Sequence, residues 1–120
     1  MNTMHKMKLL PEYFDKIRVG SKCVEMRLLD EKRRLIKIGD TIEFSRSDGQ
    51  GKPIVCLVKD LKHFDNFLSL ANYYSARALG FDEKLSAEDI ARYMYGIYCE
   101  CTVNRCSALA IEIERFDFGE

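Results

Sequence analysis

Gly20-Ser21-Lys22-Cys23-Val24-Glu25-Met26-Arg27 is the stretch on which the reading of this chain turns. It reads as a strand entered directly from a glycine suited to end a helix. Alternate residues of a strand face opposite sides, so Glu25 and Arg27 share a face with Cys23, and Lys22 points with Val24 and Met26. Three charged side chains on a half-apolar strand are costly to bury unless they pair or meet a ligand. For the three heads to converge, the strand must twist or bulge near Lys22, or Lys22 must reach round the strand end on its long stem. A plainer outcome is also open, in which Glu25 and Arg27 form an internal ion pair that fixes a barrel opening.

Before this stretch, His5-Lys6-Met7-Lys8-Leu9 alternates as a first strand with Met7 and Leu9 inward. His5 falls on the same face and is read first as a structural residue rather than a ligand. Pro11 suits the first turn of a short helix whose apolar stripe is Tyr13, Phe14 and Ile17, closed by Gly20. After it, Asp30-Glu31-Lys32-Arg33-Arg34 reads as a solvated turn or single helical turn, with a phosphate-contacting segment as the rival. Gly39-Asp40 marks a turn, and Thr41-Ile42-Glu43-Phe44 a strand with Ile42 and Phe44 inward. Asp48-Gly49 is a hairpin signal leading, past Pro53, to one long strand from Ile54 to Phe64, bent round a barrel corner.

A helical segment follows. Asp65 is placed to cap a helix carrying Phe67, Leu68, Leu70, Ala71 and Tyr74, which runs with a break to Leu79 and stops at Gly80. Residues 81–84 link it to a helix opened by the Ser86-x-x-Asp89 box, with Ile90, Tyr93, Met94 and Ile97 inward. Residues 99–105 read as a loop or irregular turn. Residues 107–116 form a last strand with Leu109, Ile111 and Ile113 toward the core and Glu112 and Glu114 toward water. Five or six strands without regular βαβ alternation argue for an α+β fold, a small mixed barrel with flanking helices in a single domain over residues 1–120.

The 120 residues suffice for one domain with a real core, and 47% hydrophobic with 32% charged residues is ordinary for a soluble globule. Zero formal net charge removes any whole-molecule electrostatic argument for nucleic acid. The halves differ: residues 1–60 carry 13 basic against 9 acidic side chains and residues 61–120 carry 6 against 10, making them +4 and −4. Five cysteines, an odd number without a secretory leader, point to reduced thiols in a cytoplasmic protein. Cys99, Cys101 and Cys106 lack the paired spacing of a zinc site, so neither a metal nor a cofactor is expected. No apolar run approaches the ~18 residues of a membrane span.

Gly20, Lys22, Glu25 and Arg27 match the G-x-K-x-x-E-x-R signature of ASCH domains, of the PUA-like superfamily. Met7-Lys8-Leu9, Gly39-Asp40 and Ile97-Tyr98 resemble that family's flanking features, so the likeness spans nearly the whole chain. The resemblance implies a PUA-like barrel of five to six strands, a cleft lined by the signature, and a link to RNA. One similar branch hydrolyses N4-acetylcytidine with a Lys, Thr and Glu constellation. On that likeness its lysine falls on Lys22, its arginine on Arg27 and its glutamate on Glu83. Its threonine position is Glu25 here, and a carboxylate acts as a base or pairs with a cation where a hydroxyl would be a nucleophile.

The leading expectation is therefore RNA or nucleoside recognition by Lys22, Glu25 and Arg27, with Arg27 on a phosphate or acceptor edge and Glu25 accepting from an exocyclic amine. Tyr13, Tyr73, Tyr74 and Tyr98 are candidate stacking rings. The alternative is a small hydrolase of a modified nucleoside, or of RNA, with Lys22, Glu25 and Glu83 as its catalytic residues. Nothing in the sequence points to a protein partner or an oligomeric state.

Overall fold

A computed structural model of the chain describes residues 2–116. Five strands form one curled sheet: β1 (Met4–Leu9), β2 (Val24–Leu28), β3 (Thr41–Arg46), β4 (Ile54–Phe64) and β5 (Ala108–Arg115). The helices are α1 (Pro11–Val19), α2 (Phe67–Tyr73), α3 (Ala76–Leu79), α4 (Ala87–Tyr95) and α5 (Glu100–Cys106). The sheet order is β1-β3-β4-β5-β2. Only β1 and β3 run parallel; the remaining pairs are antiparallel. This is the expected α+β architecture, a half-barrel whose two edge strands are β1 and β2.

The long strand makes the curl. The first part of β4 pairs with both β3 and β5, and its register against β5 slips between Val58 and Asp60. A bulge of this kind bends a strand and tightens its twist. Beyond it, residues 60–64 pair with β5 alone.

Two cores result. Met7, Leu9, Phe14, Ile17, Ile42, Phe44, Leu109, Ile111 and Ile113 pack inside the curl under α1. Val24, Met26, Leu28, Ala108 and Ala110 face the other way, onto Phe67, Leu70, Leu79, Ile90, Met94 and Val103 of the helices. Both faces of β5 are thus covered, and Glu112 is half-buried, accepting a hydrogen bond from the Tyr74 hydroxyl at 2.7 Å, while Glu114 is exposed.

Local signals account for most element ends. Gly20 and Gly80 close α1 and α3 in the left-handed conformation, at φ 90° and 96°. The Ser86–Asp89 capping box is formed in both directions. At the start of α2, Asn66 rather than Asp65 is the cap, its side chain accepting from the Ser69 amide. The strand expected from Lys22 begins only at Val24, because the amides of Lys22 and Cys23 donate to Lys16 and Ala78 and are lost to the sheet. Of the four residues expected inward here, Ile90 and Met94 are buried, whereas Tyr93 on α4 and Ile97 just beyond it are 41% and 57% exposed. The loop expected at residues 99–105 is α5, anchored by the fully buried Val103. Val103 is the one buried residue among positions 101–106, and a single buried position carries no periodicity to read. The thiols are not all reduced either, since Cys99 and Cys101 form a disulfide.

His5 is structural, as expected. Its Nε2 lies 2.8 Å from the carboxylate of buried Asp40, which also accepts from the Thr3 and Lys37 amides at 3.0 Å each. Burial alone would raise the Asp40 carboxyl, but the His5 contact and the two amides outweigh it and hold the group below the ordinary carboxylate range. A depressed carboxyl stabilises the fold fully above its unfolded value, near ~3.9, and loses that contribution as pH falls through the folded value. Asp40→Ala is therefore expected to cost about 2–3 kcal/mol at neutral pH in urea titrations. The gap to wild type should close on acidification below about pH 4.

Candidate functional site

The signature side chains meet at the seam between the two edge strands. Gly20 turns the chain out of α1, and residues 21–23 run past the end of α3 before β2 begins. Lys22 then folds back. Its Nζ donates to the carbonyls of Val24 and Leu79 at 2.8 Å each and lies 3.2 Å from Glu25 Oε1. Of the two routes open to the three charges, the chain takes the second: Lys22 reaches round the strand end.

Glu25 holds the group together. Its other oxygen accepts from Arg27 Nε at 2.7 Å. Arg27 Nη2 in turn donates to the Lys8 carbonyl of β1 at 3.0 Å, bridging the seam between β2 and β1. Lys22 and Glu25 are almost fully buried, and the Arg27 side chain is 15% exposed. Burial would raise the Glu25 carboxyl, but the two cations and their hydrogen bonds prevail, so it lies below the usual carboxylate range and is ionised at neutral pH. For Lys22, burial is the stronger influence and lowers the ammonium from its ordinary value, with Glu25 opposing. Three acceptors surround Nζ, which matches the three N–H donors of an ammonium and leaves none for a ligand.

Beside the triad opens a cavity of about 200 Å³. Lys22, Glu25 and Arg27 line it together with Tyr13 and Tyr98, so five of the seven side chains expected to contact a ligand lie around one space. Tyr13, Phe81 and Tyr93 form a triangle of tilted rings, with centroids 5.4–6.3 Å apart. Tyr98 is backed by Phe67, nearly parallel at 5.8 Å. Lys16 and Lys22 each place an ammonium 5.8 Å from the Tyr13 ring centre, within cation–π range. Burial, and then the hydrogen bond with Tyr93, raises the Tyr13 hydroxyl well above its ordinary value, so it stays protonated.

Other expected residues lie elsewhere. Glu83 is exposed and lines a separate hollow with Lys16, Arg77 and Lys84. Tyr73 and Tyr74 pack with Phe64, away from the cavity. The basic turn after β2 is a 3₁₀ turn, Arg33–Leu35, in which Arg33 pairs with Asp30 at 2.9 Å. No group of three or more metal-ligating side chains comes together among the described residues.

The structure adds contributors that the sequence did not mark. Phe81, Tyr93 and Ile97 line the cavity, which is why Tyr93 and Ile97 are exposed despite their place in the apolar stripe. Gly80, read only as a helix stop, also makes room for Lys22: a Cβ built there would lie 2.7 Å from Lys22 Cδ and 3.3 Å from Tyr13 Cδ1.

The ASCH domain family profile matches residues 7–115. The chain belongs to the ASCH domain family. Among solved structures, this ASCH domain is similar to hypothetical protein PH0355, with a TM-score of 0.81 and 30% identity over 95% of this chain and 99% of that one. Protein PF0455 from Pyrococcus furiosus has a TM-score of 0.74 and 28% identity over 96% and 99%. The ASCH protein from Zymomonas mobilis shares the fold at a TM-score of 0.61 and 19% identity, over 92% of this chain and 66% of that one. No curated protein matches the chain.

Breaking a buried ion pair from one side leaves an uncompensated charge, which costs about 3–5 kcal/mol. Glu25→Gln is therefore expected to lower the unfolding free energy of this ASCH domain by roughly that amount in urea titrations at neutral pH. A loss below about 1 kcal/mol would mean that Lys22 and Arg27 do not depend on the Glu25 charge.

Proposed function

We propose that this ASCH domain recognises RNA, or a free nucleoside, by taking one base into the cleft beside Lys22, Glu25 and Arg27. The observation that carries the reading is the cavity itself, which has a cationic end at Arg27 and a wall of four aromatic rings. Single-stranded nucleic acid is held by this pairing of basic groups and stacking rings. Size narrows the occupant. Pockets for drug-sized molecules run from roughly 300 to 1,000 Å³, so about 200 Å³ suits a single ring system rather than several nucleotides.

The geometry favours recognition over hydrolysis. Lys22 has spent its donors on two carbonyls and a carboxylate, and Glu25 is ionised and engaged at both oxygens. A proton-transfer pair needs a group free to give or receive at the reacting atom. Glu83, the third member of the hydrolytic set, lies outside the cavity lining.

Titration with short single-stranded RNA and with the four nucleosides, followed by calorimetry, tests the reading. Stacking on an aromatic side chain contributes about 1–3 kcal/mol per base, so Tyr98→Ala is expected to weaken binding about 5- to 150-fold with the fold retained. Unchanged affinity in Tyr98→Ala would remove the aromatic wall from the site. Incubation with N4-acetylcytidine is expected to release no cytidine. Turnover that disappears in Lys22→Ala would replace recognition with hydrolysis.

A further inference from the structure

The triad carries more positive than negative charge. Lys22 and Arg27 are balanced by Glu25 alone, so a net charge of one cation is enclosed at the end of the cavity. The carboxylate has no oxygen left without a cation, and Lys22 has no donor left without an acceptor. Arg27 differs. Its Nε and Nη2 are engaged, whereas Nη1 takes part in no hydrogen bond among the described residues. Each Glu25 oxygen already faces a cation and its side chain is 7% exposed, whereas the Arg27 side chain is 15% exposed, so the more accessible free group at the charged end is a donor.

We propose that the ligand of this cleft is an anion, with a planar ring against the aromatic wall and a phosphate or carboxylate group at Arg27. The inference rests on the cleft being a binding site, and within the nucleic-acid reading it selects nucleotides over nucleosides. An oxyanion supplies the charge that the triad lacks, in a geometry that guanidinium groups favour. The hydroxyls of Tyr13 and Tyr93 and the apolar side chains of Met94 and Ile97 complete a lining without a second carboxylate.

The test compares cytidine with 5′-cytidine monophosphate and guanosine with 5′-guanosine monophosphate, with benzoate and inorganic phosphate as further arms, by calorimetry and thermal shift. Each monophosphate should bind the wild-type protein about tenfold or more tightly than its nucleoside, as a charge-assisted contact implies. Arg27→Gln should abolish the difference and Arg27→Lys, which keeps the charge, should retain part of it. Parity between nucleotide and nucleoside in the wild type, or a preference that survives Arg27→Gln, overturns the proposal. Benzoate binding as tightly as either monophosphate, and losing affinity in Arg27→Gln, would uphold the anion site while removing the nucleic-acid reading. Nucleosides binding well and no anion binding better would do the reverse.

Discussion

One carboxylate, that of Glu25, holds the open side of this sheet in place. Its two oxygens meet Lys22 and Arg27, and through them it is tied to the end of α3, to the start of β2 and to the backbone of β1. Those are the separate walls of the cleft. Taking three ionised groups out of water is expensive, and the arrangement persists because nearly every donor finds an acceptor within 3.2 Å. In this fold the ion pairs of the signature leave an open space beside them. The pair that fixes the opening also forms the floor of the cavity.

The helical segment depends on the same contacts. Helix α3 has only four residues and ends in a left-handed glycine, so it offers carbonyls at its C-terminal end with no further turn to donate to them. Lys22 takes the carbonyl of Leu79, and Lys16 takes that of Gly80 at 2.8 Å. Cations at a helix C-terminus are in favourable register with its dipole. Residues far apart in the chain are thereby held at fixed distance, and the rings of Tyr13 and Phe81 meet as a consequence.

What the sequence made legible follows the strength of its periodic and capping signals. Met7 and Leu9, Phe14 and Ile17, Ile42 and Phe44, and Leu109, Ile111 and Ile113 are where alternation or helical spacing put them, because burial enforces those periods. Lys22, Glu25 and Arg27 stand out because charge in an apolar setting leaves a trace in the residues themselves, whereas nothing in the sequence separates Tyr13 and Tyr98, which line the cavity, from Tyr73 and Tyr74, which do not. Other features leave none. That Lys22 precedes the strand depends on amide bonds to Lys16 and Ala78, one of them 55 residues away in sequence. Tyr93 and Ile97 have core spacing, yet they face a cavity created by elements distant in the chain. Glu83 rests on the family likeness alone, and no pattern in its own segment shows which hollow the side chain lines.

The bridge from Arg27 to the Lys8 carbonyl has a meaning for the molecule's neighbours as well as for its interior. A sheet left open presents two rows of backbone groups, and such rows invite pairing with a strand from another chain. Here the gap between the rims is spanned by a side chain whose charge is already committed to Glu25. A foreign strand entering the gap would have to displace that guanidinium and strand a carboxylate in an apolar wall. The same arginine that links the two rims is therefore an obstacle to extension of the sheet at this seam.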